Sequence, residues 1–174
     1  MSEESPLKGK SILVVDDEPD ILEVLGEVLE MAVVHKAADY ETALQHLLGY
    51  SYDVVVLDIM GVNGFQLLRR SVERGFPTVM LTAHALTPEA LKKSIKLGAV
   101  SFVPKEQMSE IRAHLEDVVG GGKKQVWQKA YGKIAAYFNK RLGPGWKERD
   151  AFFKEFEEEL NKESASPSKA LQGP

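Results

Sequence analysis

The sequence predicts an α/β protein in which helices cover both faces of a doubly wound, five-stranded parallel sheet, followed by a C-terminal α-helical hairpin. Segments typical of strands and of amphipathic helices alternate from residue 11 to residue 119, with short connections between them. Such alternation indicates parallel strands joined by helical crossovers. The central segment, residues 53–58, is a run of aliphatic residues between two aspartates. It is too short for a helix and is typical of a strand buried on both faces.

Short runs of aliphatic and β-branched residues define the predicted strands. They cover residues 11–15, 32–37, 53–58, 76–81 and 100–103. The third strand ends in a carboxylate, Asp58, and then runs into glycine and asparagine, which are turn residues. A single aspartate in that position is equally typical of a cap for the following helix, so its meaning depends on the rest of the chain.

Each predicted strand is followed by apolar residues at helical spacing. Pro19 favours the start of the first helix, and Asp39 has a side chain suited to capping the second. Gly49 and Gly98 are typical of the residue that ends a helix. The predicted helices cover residues 19–29, 40–48, 65–74, 86–97 and 106–119.

The composition is that of an ordinary globular protein, with 28% charged and 44% hydrophobic residues among 174. The absence of cysteine excludes disulfides and thiolate metal sites. No apolar run approaches the length of a membrane span, and the acidic N-terminus does not resemble a signal peptide, so we expect a cytoplasmic protein.

The charge is distributed unevenly. Residues 1–119 carry 11 Lys and Arg against 19 Asp and Glu, and residues 120–174 carry 11 against 7. The resulting balances of −8 and +4 add to the −4 of the whole chain. Opposite signs indicate either two functional regions or one region docked on the other.

Polar side chains follow four of the predicted strands. Asp16 and Asp17 follow the first strand, Asp58 the third, Thr82 the fourth and Lys105 the fifth. Because the carboxyl ends of parallel strands share one edge of a sheet, we expect these side chains to converge. Three carboxylates favour a hard cation such as Mg²⁺ over zinc. A phosphoryl group on Asp58, held by the metal, by Lys105 and by the hydroxyl of Thr82, would account for the set.

These polar residues, at their spacing along the chain, resemble the pattern of the receiver domain of two-component response regulators. The CheY-like members of that family have the flavodoxin-like (βα)5 fold. The resemblance covers residues 9–119. It rests on Asp16, Asp17, Asp58, Thr82, Ala83, Phe102 and Lys105, with the aromatic residue three positions before the lysine. Any one of these features alone is weak, but together they are specific.

The resemblance implies roles for the site residues. Asp58 would be the phospho-acceptor, receiving a phosphoryl group from a sensor histidine kinase or a phosphotransfer protein. Asp17, Asp58 and the backbone carbonyl of Met60 would hold Mg²⁺ directly, with Asp16 acting through water. Lys105 would pair with the phosphoryl group.

The resemblance also implies a conformational switch. Thr82 would move toward the phosphoryl group, and the ring of Phe102 would turn inward into the space it leaves. The change would be read on the surface of the fourth helix, fifth strand and fifth helix. Such a domain catalyses at most its own phosphorylation and dephosphorylation, so we expect a signalling switch rather than an enzyme.

Two departures from the family pattern concern the backbone around the site. The segment from Asp58 to Gly64 is about two residues shorter than usual and lacks the usual proline, which bears on the metal contact of Met60. Lys105 is followed by Glu106, where the family often has a proline.

The chain beyond residue 119 has a different character. Residues 120–122 are three glycines, which we interpret as a linker. Two amphipathic helices, 123–142 and 146–160, are predicted to form a hairpin extension over residues 123–162. The serine-rich residues 163–174 are predicted to be a disordered tail.

Two helices this aromatic cannot bury all their apolar surface on each other. The remainder is expected to serve dimerisation or a downstream protein partner; packing on the chain's own receiver is the alternative. A nucleic-acid interface on helix 123–142, which has six basic residues and no acidic one, is less favoured because the second helix is acidic. A degenerate receiver that serves only as a scaffold is the remaining alternative.

Overall fold

The computed structural model describes residues 4–83 and 86–162. Its strands are β1 (Ser11–Val15), β2 (Val33–Ala37), β3 (Val54–Leu57), β4 (Thr78–Thr82) and β5 (Ser101–Pro104). All neighbouring strands are parallel, in the order β2-β1-β3-β4-β5. The predicted five-stranded, doubly wound parallel sheet is therefore confirmed.

The helices are α1 (Pro19–Val28), α2 (Tyr40–Gly49), α3 (Gly64–Glu73), α4 (Pro88–Leu97), α5 (Ile111–Gly120), α6 (Lys123–Leu142) and α7 (Ala151–Asn161). Two helices begin five residues later than predicted. The segment Lys105–Glu110 is a 3-10 turn in which Gln107 departs from helical backbone angles, so α5 starts at Ile111. The segment Pro144–Arg149 is also a 3-10 turn, and α7 starts only after Asp150, whose extended backbone allows its side chain to accept a hydrogen bond from the Phe152 amide.

The sheet is buried on both faces because alternate residues of each strand point to opposite sides. Ile12 and Val14 of β1 belong to a core shared with α1 and α5. Leu13 and Val15 belong to a core shared with α2, α3 and α4. All residues of β3 are buried, as its continuous apolar run predicts.

The turn between β3 and α3 is compact. Gly61 and Asn63 adopt left-handed backbone angles, with φ of 84° and 54°. The amide of Gly64 donates to the carbonyl of Ile59 over 2.9 Å, which closes the turn and starts α3. Two left-handed residues thus reverse the chain within the shortened segment after Asp58.

The aromatic face of the hairpin packs on the α/β domain. Helix α6 lies along the edge strand β5, and the indole Nε1 of Trp127 donates to the carbonyl of Ala99 over 3.1 Å. Buried aromatic side chains of the hairpin join the same core as α4 and Phe102. They are Trp127, Tyr131, Phe138, Trp146, Phe153 and Phe156. The structure therefore shows the alternative in which the hairpin packs on its own domain.

A row of ion pairs joins α6 to the segment that contains α5. Lys129 contacts Asp117 at 3.1 Å, and Lys133 contacts Glu110 at 3.3 Å. A third pair links Arg141 to Glu106 at 3.5 Å. These pairs explain the opposite charges of the two regions, since basic residues of α6 face acidic residues of the α/β domain.

The predicted disordered tail, residues 163–174, lies outside the described residues. Within residues 4–83 and 86–162, no helix is both long enough and apolar enough to cross a membrane. The three glycines at 120–122 form a short connection in which Gly120 ends α5 and Gly122 precedes α6.

We expect Gly64→Ala to distort the turn after β3. A Cβ at Gly64 would overlap the backbone carbonyl oxygen of Asp58, so the strand end itself must shift. The free energy of unfolding should fall by about 2 kcal/mol or more. Gly132→Ala is the matched control, because a Cβ there meets no atom within 4 Å and alanine in a helix should add about 0.5–1 kcal/mol. Chemical denaturation checks both values, and a Gly64→Ala protein as stable as the parent would contradict the expectation.

The environment of His114, on the helix that packs against α6, predicts that stability depends on pH. Burial lowers the pKa of the His114 imidazole, and the Lys133 ammonium lowers it further, against the opposing charges of Glu110 and Asp117. The unfolded chain, with a histidine pKa of about 6.5, therefore binds more protons near that pH than the folded chain. The stabilisation is present above about pH 6.5 and is lost as the pH falls below it.

Replacing His114 with leucine should remove this contribution. We expect the denaturant midpoint of the parent to fall more steeply than that of His114→Leu as the pH is lowered from about 7.5 to about 5.5. Comparing the two proteins cancels the titration of the carboxylates they share. Equal slopes would show that His114 does not titrate differently in the folded and unfolded states.

Candidate functional site at the carboxyl edge of the sheet

The adjacent strands β1 and β3 end side by side, and each is followed by a buried aspartate, Asp16 or Asp58, that contacts the same lysine. The amide of Asp58 donates to the carbonyl of Val15 over 3.0 Å, and the amide of Asp16 donates to that of Ala37 over 3.1 Å. Both aspartates are 1% exposed. The chain order reverses between these strands, and such switch points are where ligands bind in doubly wound sheets.

The ammonium of Lys105 lies among three carboxylates. Its Nζ is 2.8 Å from Asp16 Oδ2, 2.7 Å from Glu18 Oε2 and 3.2 Å from Asp58 Oδ2. The second oxygen of Asp58 accepts a hydrogen bond from the amide of Ile59 at 2.8 Å. The Asp58 carboxylate is therefore oriented, with one oxygen on the backbone and the other toward the lysine.

The environment shifts two pKa values in this cluster. Burial raises the pKa of the Asp16 carboxyl, although its hydrogen bond with Lys105 acts in the opposite direction. For Lys105, burial alone would lower the pKa, but hydrogen bonds to Asp16 and Glu18, together with the charge of Asp58, raise it above its usual range. Lys105 is therefore a permanent cation at neutral pH.

Asp17 completes an acidic group that could hold a cation. One carboxylate oxygen from each of Asp16, Asp17 and Asp58 lies within 4.8 Å of the others, and Asp17 is exposed to solvent. Hard oxygen donors with an open side suit Mg²⁺, which binds few carboxylates and keeps several waters. The donor chemistry of the site therefore fits this ion.

Thr82 lies buried at the end of β4, and Phe102 lies buried within β5. The hydroxyl of Thr82 makes no hydrogen bond within the part of the chain that the structure describes. A buried hydroxyl without a partner is uncommon and calls for an explanation. Phe102 is 1% exposed and lies in the core that the hairpin shares.

The structure thus brings together Asp16, Asp17, Asp58 and Lys105 in one cluster. Met60 lies in the turn after β3 and is 53% exposed. Sequence reasoning missed Glu18 as a partner of Lys105, although it directly follows the acid pair. The feature of the sequence that could have indicated this contact is the third acidic residue in a row after β1.

The sequence profile of the response regulator receiver domain matches residues 12–116, more than half of the chain. The match ends before α6 and α7. The DNA-binding response regulator MtrA of Mycolicibacterium smegmatis is 36% identical over 117 residues, which are 60% of this chain and 50% of MtrA. The phosphate regulon transcriptional regulatory protein PhoB of Escherichia coli is 33% identical over 118 residues, 60% of this chain and 51% of PhoB. This chain therefore spans only about half the length of these relatives.

Solved structures agree with the sequence comparison. A CheY-like receiver domain protein from Methanospirillum hungatei is 25% identical, with a TM-score of 0.55 over 63% of this chain and 96% of that one. The BeF3-activated receiver domain of DrrB, a Thermotoga maritima protein, is 26% identical, with a TM-score of 0.58 over 64% of this chain and 97% of that one. With the profile match and the acidic cluster beside Lys105, these similarities show that the chain belongs to the response regulator receiver family.

Proposed function

We propose that this protein is a phosphorylation-dependent switch in which Asp58 accepts a phosphoryl group. The observation that carries the proposal is the oriented carboxylate of Asp58, buried at the end of β3 and 3.2 Å from the Lys105 ammonium. A carboxylate held in this way can attack phosphorus, while the cation offsets charge on the phosphoryl oxygens. The donor would be a sensor histidine kinase or a phosphotransfer protein, since response regulators pair with such kinases.

Receiver domains bind Mg²⁺ at their acidic pocket, and the three aspartates here support the same role. Asp17 and Asp58 would hold the ion directly, Asp16 would act through water, and the backbone carbonyl of Met60 would supply a further oxygen. When bound, Mg²⁺ neutralises charge on the transferring phosphoryl group. Asp16, Asp58 and Lys105 are already arranged around the place where that charge would develop.

The unpartnered hydroxyl of Thr82 supports its role in the switch. A phosphoryl oxygen on Asp58 would give this hydroxyl the hydrogen bond it lacks among the described residues. Thr82 pairs with Pro104, and Met80 pairs with Phe102, in register across β4 and β5, so Phe102 is a diagonal neighbour of Thr82 on the same face of the sheet. Thr82 and Phe102 would then change position together.

The output would pass through the hairpin, by forming a homodimer or by binding a downstream protein. MtrA is a DNA-binding response regulator, but the ion pairs of α6 argue against DNA binding by this hairpin. Three basic residues of α6 are engaged with acidic residues of the α/β domain, which leaves less positive charge for phosphates.

Beryllofluoride, which mimics a phosphoryl group on a carboxylate, tests the acceptor. We expect calorimetry to show binding of one beryllofluoride per chain in the presence of Mg²⁺ and none after Mg²⁺ removal with a chelator. Asp58→Asn should abolish binding, and Asp17→Asn should weaken it by at least about tenfold. Asp20→Asn, at an exposed position in the first turn of α1, is the control and should bind as the parent does. Unchanged binding by Asp58→Asn would refute the assignment of the acceptor, and no binding by the parent would favour a degenerate scaffold.

Sedimentation of the full chain tests the form of the output. Addition of Mg²⁺ and beryllofluoride should increase the sedimenting mass from that of one chain to that of two, because the switch is expected to free apolar surface. Asp58→Asn should remain at the mass of one chain under the same conditions. A mass unaffected by bound beryllofluoride would rule out dimerisation as the output and leave binding to a different protein.

A further inference from the structure

We propose that His35 and His46 form a binding site for a divalent transition-metal ion such as Zn²⁺, on the flank of the sheet where α2 packs beside β2. The two imidazoles come from different elements, since His35 belongs to β2 and His46 to α2. Their ring centroids lie 5.5 Å apart. Packing of the helix against the edge strand therefore creates a pair that the sequence spacing does not reveal. The proposal goes beyond the acceptor role of Asp58 and does not depend on it.

The hydrogen bond of His46 determines which of its ring nitrogens can bind a metal. Its Nδ1 lies 2.8 Å from the carbonyl oxygen of Thr42, one turn earlier in α2. A carbonyl oxygen only accepts hydrogen bonds, so Nδ1 carries the proton and the lone pair of the neutral ring lies on Nε2. Histidines that bind metals usually have this arrangement, with one ring nitrogen on a backbone carbonyl and the other on the ion.

His35 is held in a similar way. Its Nδ1 lies 2.8 Å from the hydroxyl oxygen of Tyr52, a buried side chain that can accept a hydrogen bond from this nitrogen. The Nε2 atom of His35 is then the one available to a metal. Within residues 4–83 and 86–162, neither His35 Nε2 nor His46 Nε2 has a hydrogen-bond partner, and neither is a fully buried atom. An ion can therefore reach both nitrogens from solvent.

The separation of the rings fits a shared ion. In a tetrahedral site with metal–nitrogen distances of about 2.1 Å, the centroids of two imidazoles lie about 5 Å apart. A small rotation of either side chain closes the remaining gap from the observed 5.5 Å. The Tyr50 ring packs on both imidazoles, with its centroid 5.6 Å from that of His46 and 4.8 Å from that of His35. Hydrogen bonds and aromatic packing thus position the pair before an ion binds, which lowers the entropic cost of binding.

The chemistry of this pair differs from that of the acidic group at the carboxyl edge of the sheet. Imidazole nitrogens favour Zn²⁺, Cu²⁺ and Ni²⁺, whereas the carboxylates of that edge favour Mg²⁺. Among the residues that the structure describes, no third histidine or carboxylate completes a ligand group with the pair, so water or an outside ligand would fill the remaining positions. We therefore expect weaker binding than at a closed site with four protein ligands.

A bound ion would connect the edge strand β2 to the helix beside it. Two residues after His35, the carbonyl of Ala37 accepts a hydrogen bond from the amide of Asp16 over 3.1 Å. The ion would thus hold the strand whose end supports the acidic group. Because the unfolded chain does not keep the two imidazoles together, an ion that binds both should stabilise the folded protein.

Calorimetric titration with Zn²⁺ at neutral pH tests the site, using the full-length protein without a histidine tag. We expect one ion per chain. His35→Gln and His46→Gln should each weaken Zn²⁺ binding by at least about tenfold, because each removes one of two protein ligands. His114→Leu is the matched control, since it removes a buried imidazole on α5, and it should bind Zn²⁺ as the parent does.

Tyr52→Phe tests how His35 is positioned. This variant keeps both imidazoles but loses the hydroxyl on His35 Nδ1, so Zn²⁺ affinity should fall by about tenfold. Zn²⁺ should also raise the denaturant midpoint of the parent and leave that of His46→Gln unchanged. The midpoints measured without Zn²⁺ establish that each variant is folded, and His46→Gln alone decides the question if His35→Gln does not fold.

Asp17→Asn separates the imidazole pair from the acidic group. Undiminished Zn²⁺ binding by this variant supports the pair. Loss of Zn²⁺ binding by Asp17→Asn, with full binding by both histidine variants, would place the ion at the carboxyl edge of the sheet and overturn the inference. Absence of Zn²⁺ binding by the parent would overturn it as well. Neither result would bear on the acceptor role of Asp58, which the beryllofluoride titration tests separately.

Discussion

The ammonium group of Lys105 is the cation on which the carboxyl edge of the sheet depends. It comes from the end of β5 and contacts Asp16 after β1 and Asp58 after β3, both of which are almost completely buried. Two carboxylates in such positions would repel one another and lose hydration without a compensating charge. One side chain therefore fixes the relative positions of three strand ends. The same cation would offset the additional negative charge of the phosphoryl group that we propose Asp58 accepts.

The packing of the C-terminal hairpin explains two features of the sequence, the many aromatic residues of the extension and the uneven distribution of charge. An edge strand exposes unpaired backbone groups, and proteins often protect such an edge with a helix. Helix α6 does this for β5, with the Trp127 indole bonded to the Ala99 carbonyl. The acidic balance of the α/β domain and the basic balance of the extension meet along α5 and α6. The abundance of aromatic residues and the uneven charge thus serve a single interface.

Sequence patterns predicted the sheet and the converging acids well because both follow from local rules. The apolar run before Asp58 is too short for a helix and is typical of a buried strand, and parallel topology then brought its end beside Asp16 and Asp17. The surface covered by the hairpin could not be predicted, since helical periodicity identifies an apolar face without naming what lies against it. The contact of Glu18 with Lys105 was missed for a related reason, because a surface glutamate has many conformations open to it.

Because the hairpin covers the edge of β5, the family similarity and the hydrophobic core end at different residues of this chain. The family similarity ends at residue 116, but the hydrophobic core continues through Leu160. A receiver excised at residue 119 and grafted onto another protein would expose the apolar flank that α6 and α7 cover in this structure. For chimeras and interaction screens, the portable unit of this protein is therefore the α/β domain together with its hairpin.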